Sequence, residues 1–553
     1  MFRKFVVAVV TCFWLIQSGV SLVSASLPAK VDLSVAGAAD QLIYNADSGD
    51  ARSGQQVWQS VAAGDVNGDG VKDILVGVPY GQGPDNRRQL SGEVLIFFGR
   101  VGADTMTTVR DAARPSPPQG TGADVIVYGP NRSSFGHSIA CADFNGDRVD
   151  DLLVGAFTAT KPAIGGSQQA VLAGAAYVIL GSSMLTSRTR IDLDQSNAAR
   201  ANVRIYGAHV TSLTGYAVAA GDLNGDGLAD AIVGAPGANK AGMAQAFGAA
   251  YILLGRASLG GVVDLAIAPG QASGPSAVVF GAEATGRTVG DQLGAALAAG
   301  DVSGDGVDDL IVSAPLADGP QNQRRDAGEV YVIAGGAGLS AGAVFDLATS
   351  SSAVLILGAG AEDQIGLSLA SGDLNGDGIS DLIIGAPMKD GAAGDDVGAV
   401  YVVFGSRALL AGVTRDLQSS MGGYDLFITG PGRRSTFGQA VAAGDVNGDR
   451  IADLIVSADG AANEKNVTSG IVSVVFGRMS GATASNSASL VQPTGPDVTI
   501  LGVDEGDRLG FALAAGDVNG DRIADVLMAA PGGDGPANNR SNCGETYVVY
   551  GES

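Results

Sequence analysis

Short apolar runs bounded by Gly, Asp and Pro recur along the whole chain. One kind reads DILVGVP (Asp73–Pro79), DAIVGAP (Asp230–Pro236), DLIVSAP (Asp309–Pro315) and DLIIGAP (Asp381–Pro387). Each follows a run of small residues such as VAAGD (Val218–Asp222) or LAAGD (Leu513–Asp517). Further on comes a third run: GEVLIFFG (Gly92–Gly99), GAAYVILG (Gly174–Gly181), GEVYVIAG (Gly328–Gly335) or GETYVVYG (Gly544–Gly551). A fourth piece resembles FDL…VLILG (Phe345–Gly358). Runs of this length, rich in Val, Ile, Leu and Tyr and flanked by turn formers, read as strands. No stretch sustains a period of 3.6 residues. Each unit therefore predicts four short antiparallel strands.

Between the first and second runs sits a nonapeptide that recurs seven times at intervals of 72 to 79 residues. It reads DVNGDGVKD from Asp65, DFNGDRVDD from Asp143, DLNGDGLAD from Asp222, DVSGDGVDD from Asp301, DLNGDGISD from Asp373, and DVNGDRIAD from both Asp445 and Asp517. The seven units fill residues 26–553 and leave no room for a second domain. Four-stranded units repeated four to eight times close radially. The predicted fold is all-β, a seven-bladed β-propeller of four-stranded antiparallel blades. Small residues such as Ala62, Ala63 and Gly64 suit inner strands crowded around an axis. The last unit stops after its third strand, at Tyr550-Gly551. VDLSV (Val31–Val35) matches IDL (Ile191–Leu193) and VDL (Val263–Leu265), so it is expected to supply the missing fourth strand and leave no open edge.

Composition adds constraints. Hydrophobic residues at 46% and charged residues at 16% exclude disorder. A net charge of −24 repels phosphate, so nucleic acid is not an expected partner. Residues 1–25 have the layout of a secretory signal peptide: Arg3 and Lys4, the apolar run Phe5–Val20, and small residues before a cleavage point after Ala25. No other stretch is long and apolar enough to span a bilayer. The expected location is secreted, extracellular or at the cell surface, with the periplasm as a variant. Cys141 and Cys543, the two cysteines beyond the leader, make no disulfide framework. Asn131, Asn466 and Asn539 lie in glycosylation sequons, relevant in a glycosylating host.

The nonapeptide places oxygen-bearing side chains at positions one, three, five and nine, and an apolar residue at seven. Alternating oxygens let a tight loop wrap one hard cation, and six to eight oxygens are calcium chemistry. The candidate ligands are Asp65, Asn67, Asp69, Val71 and Asp73; Asp143, Asn145, Asp147, Val149 and Asp151; Asp222, Asn224, Asp226, Leu228 and Asp230; Asp301, Ser303, Asp305, Val307 and Asp309; Asp373, Asn375, Asp377, Ile379 and Asp381; Asp445, Asn447, Asp449, Ile451 and Asp453; and Asp517, Asn519, Asp521, Ile523 and Asp525. Position seven would offer its carbonyl while its side chain enters the core. Up to seven Ca²⁺ ions are expected. An EF-hand is excluded, because Val76 stands where its twelfth-position Glu belongs and strands flank the loop. Asn-Gly-Asp hairpin turns without an ion are the plainer alternative, but they do not explain Asp at position nine. Position six is Gly70, Gly227, Gly306 and Gly378 in four loops and Arg148, Arg450 and Arg522 in three. If that position needs a positive φ, Arg there costs about 1 kcal/mol. With Ser303 also a poorer ligand than Asn, loops two, four, six and seven are expected to bind calcium more weakly than one, three and five.

Phe135-Gly136, Leu293-Gly294, Ile365-Gly366, Phe437-Gly438 and Leu509-Gly510 precede their loops at a fixed distance, and Gly234-Ala235-Pro236 and Gly385-Ala386-Pro387 follow theirs. The unit resembles the FG-GAP repeat of integrin α heads, of bacterial extracellular FG-GAP proteins and of the propeller of glycosylphosphatidylinositol-specific phospholipase D. The resemblance implies a seven-bladed propeller that carries calcium and meets partners on the face opposite the calcium loops. It does not imply transmembrane signalling or a β-subunit partner, since nothing matches leg domains, a membrane helix or a cytoplasmic tail. Nor does anything match the phospholipase's separate catalytic domain. Val57-Trp58 and Thr214-Gly215 depart from Phe-Gly, and Phe157 and Asp459 replace the Pro of Gly-Ala-Pro.

Three loops between second and third strands are alike: GPDNRRQLSGE (Gly83–Glu93), GPQNQRRDAGE (Gly319–Glu329) and GPANNRSNCGE (Gly535–Glu545). They put Arg87, Arg88, Arg324, Arg325 and Arg540 on one face of an acidic molecule, a candidate surface for an anionic glycan or acidic protein. Solvated loop tips are the plainer alternative. No HExxH, GxSxG, paired CxxC or phosphate-binding loop occurs. His137 and His209 are the two histidines, and His137 reads as a partly exposed strand residue. The expected function is a secreted, calcium-binding adhesion or interaction module for an extracellular protein or glycan, with no catalytic residues. The alternatives are a secreted hydrolase or lyase acting on polysaccharide or phospholipid at the propeller mouth, and a self-assembling surface-layer component.

Overall fold

The computed structural model describes residues 28–35, 37–45, 59–102, 108–113, 122–164, 169–194, 201–240, 243, 245–282, 290–350, 353–410, 414–419, 423–463, 467–479 and 495–553. The expected leader, Val57-Trp58 and Asn466 lie outside them. Among these residues there is no α-helix, and four short 3₁₀ turns punctuate the loops.

The third blade shows the plan. Val218–Gly221, Asp230–Ala235, Ala249–Leu253 and Ala277–Phe280 pair in that order, antiparallel, from the axis outward. In all seven blades every residue of the second strand is buried, as at Asp73–Val78 and Asp381–Ala386. A neighbouring blade covers each of its faces, so the strand reads as a continuous apolar run instead of an alternating one.

Blades carry more than the four antiparallel strands the sequence suggests. In six of them a fifth strand pairs in parallel on the outside, donated by the segment that leads to the fourth strand of the next blade. Ile191–Leu193 and Val263–Leu265, read above as fourth-strand sequence, overlap these outer strands, Thr189–Asp192 and Gly261–Asp264. The fifth blade shows four strands among the described residues. Ring closure uses different residues from those expected. Gln41–Tyr44 pairs antiparallel with Glu545–Val549 and completes the last blade. Lys30–Asp32, at the start of the segment expected to do this, lies parallel to Val498–Leu501 on the sixth blade.

Neighbouring blades are joined at both ends of the inner strands. At the loop end, the N–H at position eight of each loop donates to the position-one carbonyl of the preceding loop, at 2.8–3.1 Å, and Lys72 to Asp517 closes the circle. A second set of seven bonds runs from just beyond each third strand to the position-two carbonyl of the preceding loop, at 2.8–3.2 Å, as from Ser182 to Val66. At the other end, the glycine of Gly-Ala-Pro meets the backbone of the next Phe-Gly. A Cβ built on Gly234 would lie 2.1 Å from the Gly294 carbonyl oxygen, and one on Gly385 2.3 Å from that of Gly438. Backbone approach this close is the physical content of both motifs.

Five outer strands are also held by an ion pair. Each ends in Asp, and a cation from the second-to-third-strand loop of the receiving blade reaches it. The pairs are Arg88–Asp192, Lys161–Asp264, Lys240–Asp346, Arg324–Asp416 and Arg540–Asp111, each with a contact at 2.6 Å. Lys161 and Asp264 are 2% and 7% exposed, so neither charge has water to fall back on.

Two outcomes follow from these contacts. Lys161→Met leaves Asp264 charged and buried and lowers unfolding free energy by about 3–5 kcal/mol, readable by denaturant titration. Gly234→Ala drives a methyl into the Gly294 carbonyl and costs about 1–3 kcal/mol, readable as a lowered Tm with an unchanged β-sheet spectrum.

Candidate cation loops and the opposite face

All seven nonapeptides connect the inner strand of a blade to its second strand and follow one backbone path. Glycine at position four has a positive φ throughout, between 70° at Gly304 and 82° at Gly146. Position six is also left-handed, at 84–90° for Gly70, Gly227, Gly306 and Gly378 and at 68–74° for Arg148, Arg450 and Arg522. A Cβ on any of the four glycines meets nothing within 4 Å, so the arginines pay only the backbone term.

The position-one carboxylate organises the turn. In every loop its Oδ2 accepts the position-six N–H at 2.8 Å. Its Oδ1 accepts the position-five N–H at 3.0–3.2 Å. In six loops the Asn at position three also accepts that N–H through its Oδ1, at 2.8–3.0 Å. Ser303 makes no such contact, and Asp305 turns to Asp301 alone.

Position nine behaves differently. Asp73, Asp151, Asp230, Asp309, Asp381, Asp453 and Asp525 are fully buried. One oxygen of each accepts the position-two N–H at 2.8–3.1 Å. The other accepts an N–H from the glycine beyond the third strand at 2.8–3.0 Å. This aspartate therefore ties inner, second and third strands together, which accounts for Asp here without an ion and removes the argument against plain turns made above. Burial, reinforced by the charges at positions five and one, pushes the carboxyls of Asp73, Asp381 and Asp525 up to about 8, and those of Asp151, Asp230 and Asp453 up to about 7. Burial likewise raises Asp309.

Position seven is buried as expected at Val71 and Ile451 and only half-buried in the other five loops. Its side chain crosses the position-four glycine of the preceding loop: Val149 over Gly68, Leu228 over Gly146, Ile379 over Gly304. The residue that anchors the loop is at position two, where Val66, Phe144, Leu223, Val302, Leu374, Val446 and Val518 are all buried. The alternation of apolar residues at two and seven was the signal available for it.

The donor set fits a hard cation: all oxygen, three carboxylates per loop, close enough for two to raise the third. Among the described residues no three acidic, His or Cys side chains are already gathered as a metal cluster. The position-one carboxylate is half-buried with both oxygens bonded to loop N–H groups, whereas the position-five carboxylate is exposed and has one oxygen on the position-seven N–H.

On the opposite face, the five arginines do not form one free cationic patch. Arg88 and Arg324 grip Asp192 and Asp416 through two contacts each, at 2.6–2.7 Å, and Arg540 holds Asp111 and the Asn45 carbonyl. Arg325 is exposed and lies beside Asp326 and Glu362. Arg87 is exposed. His137 is buried, not partly exposed: its ring lies 4.3 Å from that of Phe157 and 4.9 Å from that of Tyr216, with Nδ1 2.9 Å from the Tyr216 carbonyl. Desolvation lowers its pKa to about 4. Asp459, the other departure from Gly-Ala-Pro, is answered by Arg508 of the next blade at 2.6 Å. Cys141 and Cys543 are unpaired. Among the described residues no helix is long and apolar enough to cross a membrane.

The FG-GAP repeat signature matches residues 57–96, 214–253, 293–333, 365–403, 437–475 and 509–549. The second blade carries no such match, although its strands and loop follow the same plan. Bovine phosphatidylinositol-glycan-specific phospholipase D is 35% identical over 168 residues, 30% of this chain and 19% of that protein. Integrin alpha-PS2 of Drosophila melanogaster is 30% identical over 253 residues, 45% of this chain and 15% of that protein. The phosphatidylinositol-glycan-specific phospholipase D of Dictyostelium discoideum is 25% identical over 372 residues, 65% of this chain and 36% of that protein. The chain thus spans about a fifth of the length of the first of these relatives. Six FG-GAP repeat matches on seven radially arranged blades support an FG-GAP seven-bladed propeller.

Proposed function

We propose that this propeller is an extracellular interaction module whose seven loops bind calcium and whose opposite face binds a protein or glycan. The observation that carries the reading is the sevenfold repetition of one loop path with its oxygens in the same places. A hairpin needs only its turn residues, whereas these loops also keep an exposed Asp at position five beside the half-buried Asp at position one in every blade. Calcium bound there would neutralise carboxylates that now sit close together, and would draw the loops of neighbouring blades into one rigid ring. Secretion, read from the leader, belongs to the same proposal, since extracellular calcium would keep such loops filled. The arginine face takes a smaller part than its sequence suggests, because Arg88, Arg324 and Arg540 already hold acids of the chain itself.

The experiment is a calcium titration of residues 26–553 followed by calorimetry and thermal unfolding, then capture of partners from glycans, matrix proteins and lipids in calcium and in chelator. Calcium is expected to raise Tm, with loops one, three and five filling before two, four, six and seven. A partner held in calcium and released by chelator supports the interaction reading. An unchanged Tm at millimolar calcium removes the cation reading, and product release from a glycan or lipid would replace it with an enzyme.

A pH dependence tests the loops without metal. The folded pKa of the position-nine aspartates lies above the unfolded value, so the folded state retains protons that the unfolded state releases. The stability this provides is complete below the ordinary carboxylate range and is lost as pH rises through about 7 to 8. In chelator, Tm is expected to fall from about pH 4 to about pH 8, and calcium added at the upper end is expected to restore it.

A further inference from the structure

The axial channel is not uniform. At the loop end each inner strand presses on the next: a Cβ on Gly221 would lie 2.6 Å from that of Ala299, and one on Gly444 2.7 Å from that of Ala515. At the far end the strands diverge around a cavity of about 340 Å³, to which every blade contributes. The residue immediately after each Phe-Gly position stands in its rim. Three are aromatic or imidazole (His137, Tyr216 and Phe511), two are amides (Gln59 and Gln439) and two are aliphatic (Ala295 and Leu367).

This wall differs from the rest of the surface. The chain has a net charge of −24, yet no Asp, Glu, Lys or Arg lines the cavity. His137, packed between Phe157 and Tyr216, is uncharged at neutral pH. The hydroxyls of Ser60, Ser138 and Ser368 are tied to the carbonyls of Gly136, Gly215 and Gly438. The side-chain amides of Gln292 and Gln439 make no hydrogen bond among the described residues, while Gln59 donates its Nε2 to the buried Thr546 hydroxyl at 2.6 Å. A charged ligand would lose its hydration here with nothing to replace it, and an anion would also meet the field of an acidic protein. Apolar and aromatic faces beside unpaired amides suit a ligand that is apolar on one side and hydroxylated at its edge. The volume lies near the lower limit of about 300 Å³ for ligand pockets, enough for one or two small rings.

We propose that the axial mouth binds the neutral end of a glycan, one or two uncharged sugar residues. The site gives the interaction reading a ligand class and rests on that reading only in placing the ligand on this face. It takes nothing from the cation loops at the other end of the channel. Phe157, a departure from Gly-Ala-Pro, acquires a use in it, since its ring holds His137 and Tyr216 in the rim.

The test is saturation-transfer NMR on residues 26–553 in calcium with the methyl glycosides of glucose, galactose, mannose, fucose and N-acetylglucosamine, and with glucuronate. At least one neutral glycoside is expected to bind saturably, and glucuronate is not. Gln439→Leu removes an amide at nearly constant volume and is expected to weaken binding at least tenfold. Leu367→Trp fills the mouth from a half-exposed position and is expected to abolish it. Both variants should keep the wild-type Tm and its response to calcium, which separates a failure of this site from a failure of the cation loops. Absence of binding by every neutral glycoside, preference for glucuronate, or unchanged affinity in both variants overturns the proposal.

Discussion

An amide at the eighth position of every loop donates to the first-position carbonyl of the loop before it, and the seventh such bond returns to the start of the circle. The rest of the molecule depends on this ring. It fixes the spacing of the inner strands at one end, so the residues there must be small, and Gly or Ala fills positions that a larger side chain would force apart. It also joins consecutive loops, because the position-seven side chain lies over the preceding position-four glycine. Anything that orders one loop therefore acts on its neighbours through backbone contacts.

Blade identity is shared between consecutive repeats. The segment leading to a fourth strand first adds an outer strand to the previous blade, and in five blades an Arg or Lys from that previous blade pairs with the Asp at its end. Each repeat thus contributes strands to two sheets, which makes the structure a ring of overlapping units. The chain ends obey the same rule: Lys30–Asp32 serves the sixth blade and Gln41–Tyr44 the seventh. The cations assigned from sequence to a ligand face serve this exchange instead, at Arg88, Arg324 and Arg540.

The two faces differ in chemistry as a result. Loops with exposed carboxylates crowd one face, while the diverging ends of the inner strands leave an uncharged mouth on the other. The buried position-nine aspartate ties the inner, second and third strands of its blade through two backbone N–H groups.

Much of this was legible in the sequence, and what was not has one physical cause. The nonapeptide, with its invariant Asp at one and nine and glycine at four, specifies a turn by local hydrogen bonds, so its path and the positive φ at Arg148, Arg450 and Arg522 follow from nine residues at a time. Repetition at 72 to 79 residues then determines the number of blades. What the tertiary structure decided are pairings between residues far apart in the chain: Asp192 with Arg88, Gln41–Tyr44 with Glu545–Val549, His137 with Tyr216. VDL is equally compatible with a fourth or a fifth strand, and an Arg in a loop with solvent or with an acid, because strand order and charge pairing are set by which surfaces the closed ring brings together. The sequence by itself determined the repeating unit and its turns; only closure of the ring decided which strand each segment joins, which charges are consumed and where an uncharged cavity opens.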